Sequence, residues 1–246
     1  MKSAFLFPII FSLLLYSSPT HAMNPDEIVE KVYDHTIKYS YGPFNHYKEG
    51  TTTLTTHPQA PQVPYTQKAL VYGKKPEELK FEKILKRVIP GADGRKRVTG
   101  TSDWPHSMCV QLSMAFKGQD YGGSGAFVGP HHILTCGHNV YDQDEKVWAD
   151  SILVYPALDE AHAPFGELKV AKAYTFKGWI DQSKQEHDMA LLVLNKPMGK
   201  HTGWAGLLSL EDAALLQEKV NITGYPGDKG LKQMWTMGHT LKTIKP

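Results

Sequence analysis

The chain has 246 residues, of which 41% are hydrophobic and 21% charged, and this composition excludes a disordered or fibrous protein. Its 27 Lys and Arg residues nearly balance 25 Asp and Glu residues, which leaves a formal net charge of +2. Nucleic acid is therefore not an expected partner, because binding a polyanion requires a clear surplus of basic residues.

The first residues have the pattern of an export signal. Lys2 precedes an apolar run of 13 residues from Ala4 to Tyr16, and the sequence Thr20-His21-Ala22 resembles a cleavage site. As a helix this run spans about 20 Å, whereas the hydrocarbon core of a bilayer is roughly 30 Å thick. We therefore predict a signal peptide over 1–22 and a secreted or periplasmic protein that has no membrane attachment after cleavage.

Residues 23–87 differ in sequence pattern from the rest of the chain. The sequence after Asn24 has a helix N-cap pattern, and apolar residues keep helical spacing as far as Ile37. This pattern predicts one short helix there, and a similar pattern predicts a second over 76–85. The stretch 50–64 between them is rich in Thr and Pro and is typical of a linker.

A basic pair, Lys86-Arg87, ends this region. In an exported protein such a pair indicates a cut by a trypsin-like activating protease, and we interpret 23–87 as a pro-segment. An ordinary solvent-exposed basic cluster is the alternative. Removal of both segments would leave a domain over 88–246.

That domain has the sequence pattern of an all-β fold. Short runs rich in β-branched and aromatic residues alternate with Gly, Pro, Asp and Asn, as expected for strands and turns. The predicted strands are 108–116, 124–128, 133–136, 151–155, 168–174, 189–194 and 219–224, with a further strand-like run from 236 to 244. One helical interruption is predicted over 209–216. Many short strands with few helices indicate a barrel or a sandwich.

Two residues in this domain have the features of proton-transfer chemistry. His138 lies where the strand ending at Cys136 passes into a loop, and an imidazole there can exchange a proton near neutral pH. Asp188 immediately precedes an apolar strand, where its carboxylate can orient an imidazole. Neither signal is specific alone.

Four separated blocks that include these two residues resemble the glutamyl endopeptidase branch of the trypsin-like, chymotrypsin-fold serine proteases. The blocks cover 93–101, 124–140, 187–192 and 220–229, followed by Met234-Trp235, and 203–207 is a weaker fifth match. The resemblance implies an all-β, chymotrypsin-like double β-barrel over 88–246. The first barrel is expected to be complete and the second only begun.

By this resemblance His138 is the general base and Asp188 its orienting carboxylate, in the chain order His, Asp, Ser. The serine would lie in a Gly-x-Ser-Gly-type turn that also forms the oxyanion hole. No such turn follows Asp188, and Ser209, the last serine, has the position of a helix N-cap. We therefore expect a chain that stops before its catalytic serine.

Other candidates for a nucleophile or a ligand set fit less well. Ser124 is flanked by glycines but precedes His138, which favours a structural turn residue. Cys136 is too close to His138 in sequence to attack a scissile carbonyl. A zinc site built from these two residues with His131 and His132 lacks the paired spacing of structural zinc motifs. We expect neither a metal nor a cofactor.

The resemblance also bears on Cys109 and Cys136, the only cysteines. Trypsin-like enzymes often carry a disulfide beside the catalytic histidine, but many relatives have the half-cystine directly after it, where this chain has Asn139. A Cys109–Cys136 disulfide and two buried thiols are both open hypotheses.

The sequence Val88-Ile89-Pro90 resembles the new N-terminus that family members acquire when the zymogen is cut. In some relatives the freed amine helps to bind an acidic side chain before the scissile bond. The resemblance therefore implies a substrate-binding role for Val88 and permits a preference for Glu.

Two functions remain open. The first is a secreted, monomeric serine endopeptidase whose partners are protein or peptide substrates and an activating protease. The second is a catalytically inactive, truncated homologue that acts as a binding or decoy protein, because loss of the nucleophile costs about as much activity as loss of the whole triad.

Overall fold

The computed structural model describes residues 27–34, 93–207 and 212–240. Strands predominate in these ranges: β1 Ile28–Val32, β2 Lys96–Arg97, β3 Cys109–Phe116, β4 Gln119–Phe127, β5 His132–Thr135, β6 Tyr141–Asp142, β7 Val147–Trp148, β8 Ser151–Pro156, β9 Leu168–Phe176, β10 Ala190–Leu194, β11 Lys219–Gly224 and β12 Trp235–Thr240. The helices are short: α1 Lys177–Gln182, α2 Gly199–Thr202 and α3 Asp212–Leu215. Short 3₁₀ turns cover His106–Met108, Gly137–Asn139, Gln185–His187 and Gly227–Lys229.

Six strands close into an antiparallel barrel in the order β9-β10-β5-β4-β3-β8, because β8 pairs with β3 on one side and with β9 on the other. The β3–β4 hairpin turns at Lys117 and Gly118, which have φ values of 50° and 79°. Two residues of positive φ are typical of the tight turn that matches strand twist. The predicted all-β, chymotrypsin-like fold is confirmed, and each predicted strand up to 219–224 overlaps an observed one.

The barrel is filled by apolar side chains that alternate along its strands. The following core residues have no exposed surface: Val110, Leu112, Phe127, Ile133, Val154, Ala173 and Leu192. Because neighbouring side chains point to opposite faces of a strand, this alternation sends one face of each strand into the barrel. The barrel thereby forms a rigid frame for the loops at its strand ends.

A separate three-stranded sheet, in the order β11-β12-β2, lies where the second barrel was expected to begin. Charged side chains support the β2 edge of this sheet: the guanidinium of Arg95, the residue before β2, bonds to the carboxylates of Asp93 and Asp228. Tyr225 connects this sheet to the barrel, because its backbone N–H donates to Ser124 Oγ and its hydroxyl donates to the carbonyl of Leu158.

The helix predicted after Asn24 is wrong, because residues 28–32 form strand β1. β1 pairs antiparallel with β9 from Ile28 opposite Phe176 to Val32 opposite Lys172. Ile and Val fit a helical stripe and a strand equally, and pairing with an existing sheet edge decides between them. The predicted signal peptide, linker, second helix and Val88 all lie outside the described residues.

Of the two hypotheses left open for Cys109 and Cys136, the structure has the free thiols, with Cys109 buried and Cys136 half-buried. Cys109 pairs with Ala126 on β4, and Ala126 pairs with Leu134 on β5. β4 therefore lies between Cys109 on β3 and the end of β5, which Cys136 directly follows, and two strand spacings amount to roughly 10 Å. A disulfide requires Cα atoms within about 7 Å.

No helix in the described ranges is long and apolar enough to cross a bilayer.

Candidate active site

The pairing of β5 with β10 brings His138 and Asp188 together. Thr135 at the end of β5 is opposite Ala190 at the start of β10. His138 lies three residues after Thr135, in the 3₁₀ turn Gly137–Asn139, and Asp188 lies two residues before Ala190. In an antiparallel pair the end of one strand adjoins the start of its partner, so two residues 50 positions apart become neighbours.

Asp188 accepts two hydrogen bonds from His138. Its Oδ2 is 2.8 Å from the ring Nδ1, and its Oδ1 is 2.8 Å from the backbone N of the same residue. A carboxylate beside Nδ1 favours the tautomer that carries a proton there, which leaves Nε2 with a free lone pair. The imidazole side chain is 39% exposed and the carboxylate 23%, so the ring reaches solvent while its partner is shielded. This arrangement can accept a proton at Nε2.

Two opposing effects act on the pKa of Asp188. Burial raises it, but the hydrogen bond and charge of His138, together with the backbone N–H groups of His138 and Gly137, lower it more. The pKa of the carboxyl therefore lies below its ordinary value. Asp188 is ionised near neutral pH and can stabilise a positive charge on the imidazole.

Gly137 allows this close approach. A Cβ atom at residue 137 would lie 2.9 Å from Cδ1 of Trp179 and 3.1 Å from Oδ1 of Asp188. The Trp179 ring also makes an edge contact with the His138 ring, at a centroid distance of 6.5 Å. Sequence reasoning missed both supporting residues, and the glycine directly before the histidine was the available signal.

Polar side chains fix the strand ends that carry the pair. The Asn139 amide donates to Thr135 Oγ1 at 2.8 Å, and this hydroxyl donates in turn to the carbonyl of Ser124. The Asn139 amide packs directly over Gly123, where any Cβ atom would lie within 3 Å of it. On the aspartate side, Thr175 Oγ1 donates to the carbonyl of Met189. The pair is therefore held from both strands.

Ser124 is a strand residue rather than the turn residue that its glycine neighbours suggested. It lies in β4, where its Oγ accepts from Tyr225 and its carbonyl accepts from Thr135. These contacts give it a structural role. In the described part of the chain, no serine hydroxyl is hydrogen bonded to Nε2 of His138.

One cluster in the described residues has the composition of a metal site. Cys136, His138 and Asp188 each present a ligand atom, and these atoms lie within 4.8 Å of one another. His131 and His132, the other candidates from the sequence, are not in this cluster, and Nδ1 of His131 is 2.9 Å from the carbonyl of Leu194. The cluster coincides with the hydrogen-bonded pair, so a metal there would compete with the bond between His138 and Asp188.

Known proteins resemble this chain in sequence and in fold. An extracellular metalloprotease of Bacillus subtilis (strain 168) is 30% identical over 198 residues, which are 77% of this chain and 63% of that protein. A glutamyl endopeptidase of Bacillus licheniformis is 30% identical over 151 residues, 61% of this chain and 46% of that protein. The chain thus spans about half to two thirds of the length of these curated relatives.

A solved structure of a Glu endopeptidase in complex with MPD superposes with a TM-score of 0.58 and 26% identity. The match covers 64% of this chain and 73% of that structure. The family model described as Trypsin matches residues 97–244, which is more than half of the chain and includes both His138 and Asp188. The chain therefore belongs to the trypsin family of serine proteases.

Proposed function

We propose that this chain carries the general base and the orienting carboxylate of a secreted serine endopeptidase. The observation that carries the proposal is the pair of 2.8 Å hydrogen bonds by which Asp188 holds His138 with Nε2 directed away from the carboxylate. Family membership supplies the reaction class, and the pair supplies the proton transfer which that reaction needs.

In the proposed mechanism, Nε2 of His138 takes the proton of a serine hydroxyl as its oxygen attacks the peptide carbonyl. Asp188 stabilises the imidazolium that forms, and His138 then returns the proton to the leaving amine. Water hydrolyses the acyl-enzyme with the same base. The proposal requires a serine in a Gly-x-Ser-Gly-type turn, which the residues after Asp188 in this sequence do not contain. It therefore applies to a protein that supplies such a serine together with the His138–Asp188 pair.

The finer parts of the proposal concern export, activation and specificity. We propose a signal peptide over 1–22, a pro-segment over 23–87 and a mature start at Val88, whose amine helps to bind an acidic side chain before the scissile bond. Relatives named glutamyl endopeptidases support the acidic preference, and a relative named extracellular supports export.

The test is peptidase activity of a secreted protein that contains both this chain and such a serine turn, on fluorogenic peptides that differ only in having Glu or Gln before the scissile bond. His138→Gln is expected to lower kcat by about 10⁶ and Asp188→Asn by about 10⁴, with KM nearly unchanged. His162→Gln is the matched control, because His162 is exposed. Equal activity in His138→Gln and wild type contradicts the role of the base. Absence of wild-type activity supports the inactive binding protein instead.

A metal-dependent hydrolase is the second candidate, favoured by the cluster of Cys136, His138 and Asp188. Three protein ligands and a water are the usual composition of a catalytic zinc site. Cys136→Ser separates the two functions, because it removes the thiolate ligand and leaves the His138–Asp188 pair intact. The serine mechanism predicts that this variant and a chelator leave activity unchanged, whereas the metal mechanism predicts that both abolish it.

A further inference from the structure

Strand β9 has one edge that is shared between two partners. Its first residues pair with β8, Leu168 opposite Val154 and Lys169 opposite Leu153. Beyond that point β8 no longer follows it, and residues 172–176 pair with β1. The other edge of β9 pairs with β10. β1 therefore covers the part of β9 that the closed barrel leaves open.

Backbone and side-chain contacts hold β1 in place. The N–H groups of Tyr33 and Asp34 donate to the carbonyl of Ala171 at 2.7 and 3.1 Å, which extends the ladder beyond Val32. Lys172 Nζ lies 3.2 Å from a carboxylate oxygen of Glu30. The Tyr33 side chain packs against the barrel core, where burial raises the pKa of its hydroxyl.

A further contact ties this segment to β10. Asn195, the residue after β10, donates to the carboxylate of Asp34 at 2.9 Å. An uncovered edge would expose unpaired N–H and C=O groups, which other strands can bind. Addition of an extended segment to such an edge is a common mode of recognition, with backbone hydrogen bonds as its main source of affinity. Here the segment comes from the same chain.

We propose that β1 remains bound to β9 after the chain is cut between Lys86-Arg87 and Val88, so that the processed protein is a non-covalent assembly of two chains. This proposal rests on the proposed cleavage. Both cysteines, Cys109 and Cys136, lie after the cut, so no disulfide can retain the N-terminal piece. Strand pairing, the Glu30–Lys172 ion pair and the contacts of residues 33–34 must hold it.

The bound segment also lies next to the strands that carry the candidate active site. Ile28 is opposite Phe176, whose ring packs on that of His187 at a centroid distance of 5.2 Å. Thr175, one residue earlier on β9, bonds to the carbonyl of Met189. His187 and Met189 flank Asp188, so retention of β1 preserves the support of this carboxylate.

The test uses the full chain with a viral protease recognition site inserted between Lys86 and Arg87. After cleavage, the N-terminal fragment is expected to co-elute with the barrel in native gel filtration and to separate from it in guanidinium chloride. Separation in native buffer, with the barrel still folded by circular dichroism, would overturn the proposal. The experiment needs no peptidase activity, so its failure leaves the proposed enzyme untouched.

Variants of β1 identify the contacts that retain it. The backbone N–H of Tyr33 donates to the carbonyl of Ala171 on β9. In an antiparallel pair every second residue directs its N–H toward the same neighbouring strand, so the N–H of Lys31 also faces β9. Lys31→Pro is expected to weaken retention about tenfold, since it removes a ladder hydrogen bond. Glu27→Pro, one residue before β1, is the matched control. Equal retention of the fragment in these two variants would refute pairing as the cause.

Charge reversal provides a second and milder perturbation that preserves the backbone. Glu30→Lys is expected to weaken retention of the fragment about two- to fivefold, the range of a partly exposed ion pair. Adding Lys172→Glu should restore it, because the pair is reformed with the charges exchanged. A double variant that binds more weakly than both single variants would contradict the assigned contact.

Discussion

Gly137 lies in the turn that carries His138 and packs against the segment that carries Asp188, and Gly137→Ala tests how closely the two are packed. The added Cβ atom would lie 2.9 Å from Cδ1 of Trp179, and 3.1 Å from both Oδ1 of Asp188 and the backbone N of Met189. Favourable separations between carbon atoms are about 3.5–4.0 Å. The tryptophan contact is therefore too short by about 0.6 Å or more.

The cost of this substitution is steric. Gly137 is not among the described glycines with positive φ, so alanine can adopt its backbone conformation. Overpacking of a close-packed site lowers the free energy of unfolding by about 1–3 kcal/mol. Relief of the contact moves Asp188 away from His138 and lengthens both hydrogen bonds. Since small displacements of catalytic groups cost up to about 10²-fold, kcat should fall roughly ten- to a hundredfold.

Urea unfolding measures the loss of stability, and NMR exchange of the Nδ1 proton of His138 measures the opening of its bond to Asp188. Gly94→Ala is the matched control, because among the described residues a Cβ atom at residue 94 meets only Sδ of Met237, at 3.9 Å. The reasoning is refuted when Gly137→Ala and Gly94→Ala unfold at the same urea concentration and the Nδ1 proton exchanges at the wild-type rate.

Three further predictions follow from burial and charge. The pKa of Asp188 is lower in the folded protein than in the unfolded chain, so the ionised carboxylate stabilises the fold above the unfolded-state pKa. This stabilisation is lost as the pH falls through the folded-state pKa. Urea unfolding between neutral pH and pH ~3 should therefore show a smaller loss of unfolding free energy in Asp188→Asn than in the wild type. Burial raises the pKa of Cys109 to about 12, so a thiol reagent at pH ~8 should modify the half-buried Cys136 first. Denaturation without reductant should then make two thiols available to the reagent, because both cysteines are free. Leu192→Ala should lower the free energy of unfolding by about 2–5 kcal/mol, whereas Leu207→Ala, at a 49% exposed site, should change it by less than about 0.5 kcal/mol.

The strands were predictable because their sequence signals are local. The candidate pair was predictable because its residues lie in blocks that resemble a known family. β11 matches its predicted range of 219–224 because β-branched residues fill it and turn residues bound it. His138 and Asp188 were found from strand-end positions and from the order of the family blocks. Their short distance in the fold depends on the register of β5 against β10, and no local sequence pattern predicts that register.

Features that depend on packing between distant segments were not predictable. β1 has a sequence compatible with a helix, and only the open edge of β9 selects a strand. The distance between Cys109 and Cys136 depends on the intervening strand β4, which spacing in the sequence does not reveal. The contact of Gly137 with Trp179 joins a 3₁₀ turn to helix α1, about 40 residues later in the chain. In each case a non-local contact outweighs a local tendency.

The register of Thr135 against Ala190 also has a consequence for when the chain acquires an oriented base. About 50 residues separate His138 from Asp188 in sequence. Bringing the two together in a growing or partly folded chain therefore costs the conformational entropy of closing that loop. Until β10 joins β5, the imidazole has no carboxylate to select its tautomer. Pairing of β10 with β5 therefore precedes the orientation of the base, and a chain still emerging during synthesis has no oriented imidazole.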